Sequence, residues 1–432
     1  MADEQMKFDV VIVGGGLAGL SAAIKLAEAK FEVLVIERGE YSGAKNVMGG
    51  VLYRSPTEQI IPEFWKTAPL ERNITETRVW MLTEKAATTF GYKNNDSTNN
   101  SFTVLRAKFD QWLAGIAEKK GATVLTGNTV LDVIRSNEGK IIGVKTDAPD
   151  GDVYADVVIA ADGVNSMLSK KIGLHKEIKK DQVALAVKEV ITLPQKVIED
   201  RFNLTGNNGA TIEFMGAISK GMVGVGFIYT NKDSLSLGMG CLASDFAKFK
   251  IKPYELLEEI KEHPAIAPLI EGGEVKEYMA HLIPEGGYKS IPPLVTDGML
   301  VCGDAAMLVN GIHREGSNMA MISGKLAAET IIRAREYKEY SLRTLSYYKQ
   351  LLSESFVFSD LKKYKDTMSY MEHNRQFMNI YPEIISDAMN EMITVDGVTK
   401  RQKEWKILFN TLSKRNPFGL LKDAFGIGRR MI

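Results

Sequence analysis

The chain has 432 residues, 45% of them hydrophobic and 25% charged, with a formal net charge of zero. That length can bury a large core divided between two or more domains, and the composition excludes extended disorder. Two cysteines, Cys241 and Cys302, exclude both a disulfide framework and a four-cysteine iron–sulfur cluster, and both sit in apolar stretches as core residues do.

The first residues, Met1 to Gln5, lack a basic region followed by an apolar segment, so no secretory signal is expected. No apolar run reaches the roughly 18–20 residues needed to cross a bilayer. The stretch Phe8–Val13 is apolar and predicts a buried strand, followed by Gly14-Gly15-Gly16-Leu17-Ala18-Gly19, a helix from about Leu17 to Lys30, a second strand Val33–Ile36, and Glu37. This order is that of a dinucleotide cradle. Gly14 permits the tight turn, Gly16 admits a pyrophosphate, and Gly19 lets helix and strand pack closely. The helix turns its free N–H groups toward the phosphates, and Glu37 can accept hydrogen bonds from ribose hydroxyls. A second match to the looser pattern, Gly238-Met239-Gly240-Cys241-Leu242-Ala243, has no following helix and acid, and reads as a glycine-bearing strand.

A glycine-rich stretch, Tyr41–Leu52, comes next, and a polar run, Lys93–Ser101, reads as a loop tip. Arg106 precedes a helix over about Ala107–Lys120, with Phe109, Trp112, Leu113 and Ile116 at helical spacing. Strands are predicted at Ala122–Leu125, Asn128–Arg135, Lys140–Thr146 and Asp152–Ala160, the last ending in Ala161-Asp162-Gly163. Taken alone, that tripeptide reads as an ordinary type I or II turn. Short alternating runs from Ala184 to Leu282 predict an antiparallel sheet interrupted by a helix, Pro253–His263. A buried strand, Gly298–Cys302, leads into Gly303-Asp304, and a helix from about Ser317 to Arg335 follows Gly311-Ile312-His313-Arg314-Glu315-Gly316. The free N–H groups at its start, with Gly316, Ser317 and Asn318, could face a flavin ring. Helical segments rich in Tyr, Lys and Met end the chain. The expected fold is α/β, a Rossmann-like FAD-binding domain of the glutathione reductase/para-hydroxybenzoate hydroxylase type. It is assigned residues 1–80, 105–180 and 285–340, with an antiparallel-sheet substrate domain at 81–104 and 181–284 and a helical region at 341–432.

From Lys400 onward there are nine Lys/Arg and two Asp/Glu, a balance of +7 against −7 for the rest. Trp405, Leu408, Phe409 and Leu412 with Lys403, Lys406, Lys414 and Arg415 form a basic amphipathic segment. Its readings are an anionic membrane surface, a docking helix or a solvated terminus. No Ser-His-Asp order, metal-ligand spacing or catalytic cysteine context stands out, so neither a metal site nor a nucleic-acid partner is expected. His175, His263 and His373 lack a partner pattern and read as structural.

In this order the elements resemble the FAD-dependent electron transfer flavoprotein–quinone oxidoreductases, most closely the FixC-type subunit. The resemblance runs through Glu37-Arg38-Gly39-Glu40, Gly43-Ala44-Lys45-Asn46-Val47-Met48-Gly49-Gly50, Pro69-Leu70-Glu71-Arg72, Ala161-Asp162-Gly163-Val164-Asn165-Ser166 and His313-Arg314-Glu315-Gly316-Ser317-Asn318. It covers essentially the whole chain. It implies that Gly14 to Gly19, Glu37 and Arg38 serve the ADP moiety, with Val130 against adenine by its backbone and Arg106 near the pyrophosphate. Lys45, Asn46 and Gly49 would lie near the ring, while Asp162, Gly163, Gly303, Asp304, Gly316, Ser317 and Asn318 would hold the ribityl chain and ring. It further implies electrons entering from an electron transfer flavoprotein and leaving to a membrane quinone (menaquinone or ubiquinone). A separate ferredoxin-like subunit would carry the missing cluster, within an NADH-oxidising, electron-bifurcating complex on the cytoplasmic side of the membrane. Quinone reduction needs protons, for which His313 and Glu315, and His281, are candidates by residue type; ring packing is the rival role for His313. A prenyl-lipid (geranylgeranyl) reductase and a flavin-bearing assembly subunit are the alternatives.

Overall fold

The structure, a computed structural model, describes residues 6–45, 49–94, 100–149 and 151–431. They form two compact units, Met1–Leu70, Asn100–Val183 and Ile283–Lys365 in one, and Glu71–Asn99, Ala184–Leu282 and Asp366–Ile432 in the other.

The first unit is built on a parallel sheet. Its strands run Thr123–Thr126, Val33–Glu37, Lys7–Val13, Asp152–Ala160 and Met299–Val301, in register through Leu34/Thr123, Val10/Val33, Val10/Val157 and Val158/Met299. Such strands are covered on both faces, which is why Val33–Glu37 is an unbroken buried run rather than an alternating one. A meander, Val130–Arg135 and Ile141–Thr146, returns antiparallel onto Asp152–Ala160. The helices Leu17–Glu28 and Ser317–Glu336 approach closely because Gly324 has no side chain; a Cβ there would lie 2.0 Å from the Ala18 carbonyl oxygen. The helix Arg106–Lys120 ends at Gly121, whose φ of 108° lets the chain leave in the left-handed region.

Two expected boundaries move. Strand Ser101–Leu105 pairs with Gly49–Tyr53 inside the first unit, so the insertion there covers 71–99 instead of 81–104. The helical region expected at 341–432 divides after Lys365. Leu345, Tyr348, Leu352, Val357, Phe358 and Leu361 bury themselves in the core of the first unit, and burial of such side chains, each about 1.5–3 kcal/mol, outweighs adjacency in sequence.

In the second unit the strands run Glu274–Pro284, Val183–Thr192, Ser234–Leu242, Gly224–Thr230, Asn208–Gly216 and Leu70–Leu82, with Ala87–Lys93 paired to the last. Pairing is antiparallel at four of the interfaces whose register is known; Asn208–Gly216 runs parallel to Leu70–Leu82. Gly238 and Gly240 lie in Ser234–Leu242, where a Cβ on Gly238 would press the Phe227 ring at 2.5 Å; they are strand glycines, as the sequence indicated.

Candidate cofactor site at the carboxyl ends of the parallel strands

Three strand ends are tied together by main-chain bonds. The Ala161 N–H donates to Val13 O (2.8 Å), the Cys302 N–H to Ala160 O (3.0 Å), and the Gly14 N–H to Ile36 O (2.9 Å). In an open α/β sheet this edge is where ligands bind. Gly14 has φ 109°, and a Cβ on it would stand 2.2 Å from Ala161 O; one on Gly19 would stand 2.1 Å from Gly14 O. Gly16 differs, since a Cβ there would meet nothing within 4 Å. It is the N-cap of Leu17–Glu28 and supplies no side-chain cap, so the helix presents its first N–H groups and positive end to that open space, with Leu17 and Ala18 buried behind it. Glu37 accepts from the Gly15 N–H (2.8 Å) and the Gly39 N–H (2.7 Å). Both oxygens thus brace the turn, and a carboxylate has further lone pairs for a ribose. The segment before Val130 closes beside it, through Asn128 N–H to Glu37 O (3.1 Å) and Gly127 N–H to Gly39 O (2.8 Å).

Asp162 accepts from the Leu168 N–H (3.0 Å) through Oδ2, while its buried Oδ1 has no hydrogen-bond partner among the described residues. Burial raises its carboxyl above the usual range, with Arg38 opposing by charge. Gly163, φ 76°, faces open space as Gly16 does. The Ser166 hydroxyl donates to Ala305 O (3.1 Å), joining this turn to the one after Cys302. There the Gly303 N–H donates to Ser323 Oγ (2.9 Å), and burial pushes Asp304 up to about 6 against the pull of the Arg106 charge. Arg106 itself forms a two-pronged pair with Asp110 at 2.7 and 2.8 Å, which fixes the orientation of its guanidinium.

The segment before helix Ser317–Glu336 is pinned by reciprocal bonds between Asn310 and Glu315 (2.9 and 3.0 Å). Ser317 Oγ donates to Val51 O (3.0 Å), which ties strand Gly49–Tyr53 to this loop; Tyr53 lies in the field of Glu315. The buried Asn318 Oδ1 has no hydrogen-bond partner among the described residues. Burial raises the Glu315 carboxyl, with the His313 charge opposing. The His313 ring packs edge-on against Tyr364 at 4.9 Å, the ring-packing role weighed against proton donation. Lys45 is exposed in a turn, Gly49 pairs with Leu105, and Asn46 lies outside the described residues. His281 is in strand Glu274–Pro284, while His175, His263 and His373 bond main-chain carbonyls.

The donors and spaces suit an adenine–flavin dinucleotide. Gly16 and Gly163 leave room, and Ser42 Oγ, Asp162 Oδ1 and Asn318 Oδ1 are buried with unused bonding capacity. Sequence reasoning missed Ser42, which lies where a Cβ on Gly15 would come within 2.7 Å of its hydroxyl, and Asp110, which was legible as an acid four residues after Arg106 on one helix face. It also gave Glu285 no role.

Residues 9–168 match the FAD dependent oxidoreductase family, and residues 367–432 match the ETF-QO/FixC family C-terminal domain. The chain is 49% identical to Protein FixC of Azorhizobium caulinodans, with 99% of both chains covered. It is 44% identical to Protein FixC of Escherichia coli K12, covering 96% of this chain and 97% of that one. Among solved structures, a geranylgeranyl bacteriochlorophyll reductase-like protein from Thermoplasma acidophilum superposes with a TM-score of 0.75 at 21% identity, covering 98% and 99% of the two chains. The flavin-dependent brominase Bmp2 gives 0.66 at 19% identity over 90% and 92%. At these identities the two structures speak for the fold alone.

Proposed function

The chain belongs to the FixC family of FAD-dependent electron-transfer oxidoreductases, and we propose that it takes electrons from an electron transfer flavoprotein, through a ferredoxin-like iron–sulfur subunit, and delivers them to a membrane quinone. The observation carrying this reading is the union, in one chain, of an FAD dependent oxidoreductase region with an ETF-QO/FixC C-terminal domain. Bound FAD supplies electron exchange singly or in pairs, which suits a junction between one-electron clusters and two-electron quinones. The two cysteines are buried and unpaired, so a cluster on the route belongs to another subunit. NADH oxidation and bifurcation are then assigned to the partners.

In this reading the chain's own groups divide the work. The N-terminus of Leu17–Glu28 and Arg106 bind the pyrophosphate, Glu37 orients the ribose, and Asp304 the ribityl chain. Gly316, Ser317 and Asn318 bind the ring with the N-terminus of Ser317–Glu336, whose positive end favours the negative charge of reduction.

Membrane contact rests on apolar side chains. Trp405, Leu408 and Phe409 of helix Lys400–Lys414 are exposed, as are Phe418, Leu421 and Phe425 of helix Pro417–Met431. The expected basic face is largely spent within the fold. Lys403 is buried against Asp396, Lys406 pairs with Glu391, Lys414 with Glu383 and Asp387, and Arg415 with Asp423. No helix among the described residues is long and apolar enough to cross a membrane.

The test is purification of the complex under gentle lysis, with flavin, iron and polypeptides quantified, followed by reduction and addition of quinone. Stoichiometric FAD, co-purifying iron-bearing subunits and reoxidation by quinone are expected. Failure of quinone to reoxidise the reduced complex overturns the reading; reoxidation by an isoprenoid alkene in its place favours the prenyl-lipid reductase.

A further inference from the structure

The turn Pro284-Glu285-Gly286-Gly287 carries a carboxyl group that the roles assigned above leave unused. The Glu285 N–H donates to Gln182 O (2.8 Å), which holds the residue against the segment Lys180–Gln182. Its side chain reaches the loop between Asn310 and Gly316. A Cβ on Gly311 would stand 1.8 Å from Glu285 Oε2, 2.8 Å from Cδ and 3.2 Å from Oε1, so that glycine is what makes room for the carboxyl. Oε2 is buried and has no hydrogen-bond partner among the described residues. The turn is itself tight: a Cβ on Gly286 would stand 2.5 Å from Ser290 Oγ, whose hydroxyl donates to Gly287 O (2.8 Å).

The elements packed against Glu285 carry Lys180, Asp181, Lys289, His313, Arg314 and Glu315, and none of them perturbs its carboxyl. Burial alone acts on it, raising it from 4.5 to about 8, so the group holds its proton at neutral pH. A buried carboxyl kept for packing would be expected to have a cation or donors for both oxygens. Here Oε2 has neither among the described residues, and it lies against the loop that opens the flavin-facing helix.

We propose that Glu285, seated against Gly311, is the proton carrier for quinone reduction. This rests on the quinone-reductase reading. Two electrons from the bound flavin and two protons turn a quinone into its quinol. Glu285 gives up one of those protons by breaking its carboxyl O–H bond, water supplies the other, and the resulting carboxylate then takes a proton from water, so the residue is regenerated once per turnover. A carboxylic acid whose proton leaves near physiological pH is matched to this task.

The experiment compares wild type, E285Q and E285D in the intact complex. Infrared difference spectra across about pH 6 to about pH 10 are expected to show a protonated-carboxyl band that disappears near pH 8 in wild type and is absent from E285Q. Flavin content and melting temperature check that each variant is folded. Quinone reduction by the pre-reduced complex is expected to fall about a hundredfold in E285Q, to lose its decline above about pH 8, and to recover in part in E285D. An E285Q complex with wild-type rate and pH profile overturns the inference and leaves the quinone reading standing. A wild-type complex that does not reduce quinone overturns both, and the infrared band then shows separately whether Glu285 is a buried acid. If E285Q does not fold, the E285D profile decides: a pH dependence unmoved from wild type overturns the inference.

Discussion

Arg72 of the second unit and Glu285 of the first are both ionisable residues with buried side-chain atoms, and their surroundings are opposite. The Arg72 guanidinium donates to Asn231 O (2.6 Å), Gly206 O and Lys232 O (both 3.2 Å) and Asn208 O (3.1 Å), with Glu199 at 3.7 Å. Asp245 in the same unit is saturated too, by Arg375 at 2.6 and 2.8 Å and by the Val223 N–H at 2.8 Å. Glu285 and Asp162 in the first unit each keep a buried oxygen without a hydrogen-bond partner among the described residues. Saturation marks a charge that holds a fold together, while spare capacity marks one that is available to a ligand or a proton.

The largest effect should come from breaking a saturated site. Arg72→Ala strands four carbonyl groups and the Glu199 carboxylate, and is expected to cost about 3–5 kcal/mol in thermal or denaturant unfolding. Arg72→Lys should not restore it, because one ammonium cannot reproduce the guanidinium fork. Melting as wild type would show that a saturated buried charge is not structural here.

Glu285→Gln should act in the other direction. Unfolded, this carboxyl ionises near 4.5; folded, it keeps its proton to about 8. Between those values the folded chain binds the extra proton, so this group lowers stability as pH rises through the window. E285Q is therefore expected to gain about 1–3 kcal/mol over wild type near pH 8 and little near pH 5, read as a converging pair of melting curves. Parallel curves would remove the distinction between the two residues.

Gly16→Ala separates space kept for a ligand from space kept for packing. A methyl group there touches nothing, so melting of the flavin-free protein should be unchanged while FAD binds about 10–100-fold more weakly, about 1.4–2.8 kcal/mol. Gly19→Ala, pressed against Gly14 O, should instead lower the melting temperature. The smallest stability effect belongs to Trp405→Ala/Phe409→Ala, within about 0.5 kcal/mol per site. In vesicle flotation this pair should weaken binding, and added salt should change wild-type binding little because the neighbouring lysines are already paired. Strong salt dependence would return the basic face to the interface.

Where apolar periodicity met a positional requirement, the sequence was readable. The turn Gly14–Gly19, strand Asp152–Ala160, the turns at Asp162 and Asp304, and the helix opening at Ser317 all lie where the residues indicated, because each is set by contacts within a few residues or by an apolar run. The tail shows the same rule in reverse. Spacing at Lys403, Lys406 and Lys414 showed charge, but the carboxylates of Asp396, Glu391 and Asp387 that absorb it come from the segment before the tail.

By itself the sequence determined the cofactor class, the family and the α/β framework, since these depend on local glycine chemistry, hydrophobic period and motif order. Only the tertiary structure decided that residues 341–365 complete the first unit's core and that Glu285 comes to rest against Gly311. Those outcomes depend on which distant segments exclude water from one another, and burial is a property of the packed chain that no residue carries alone.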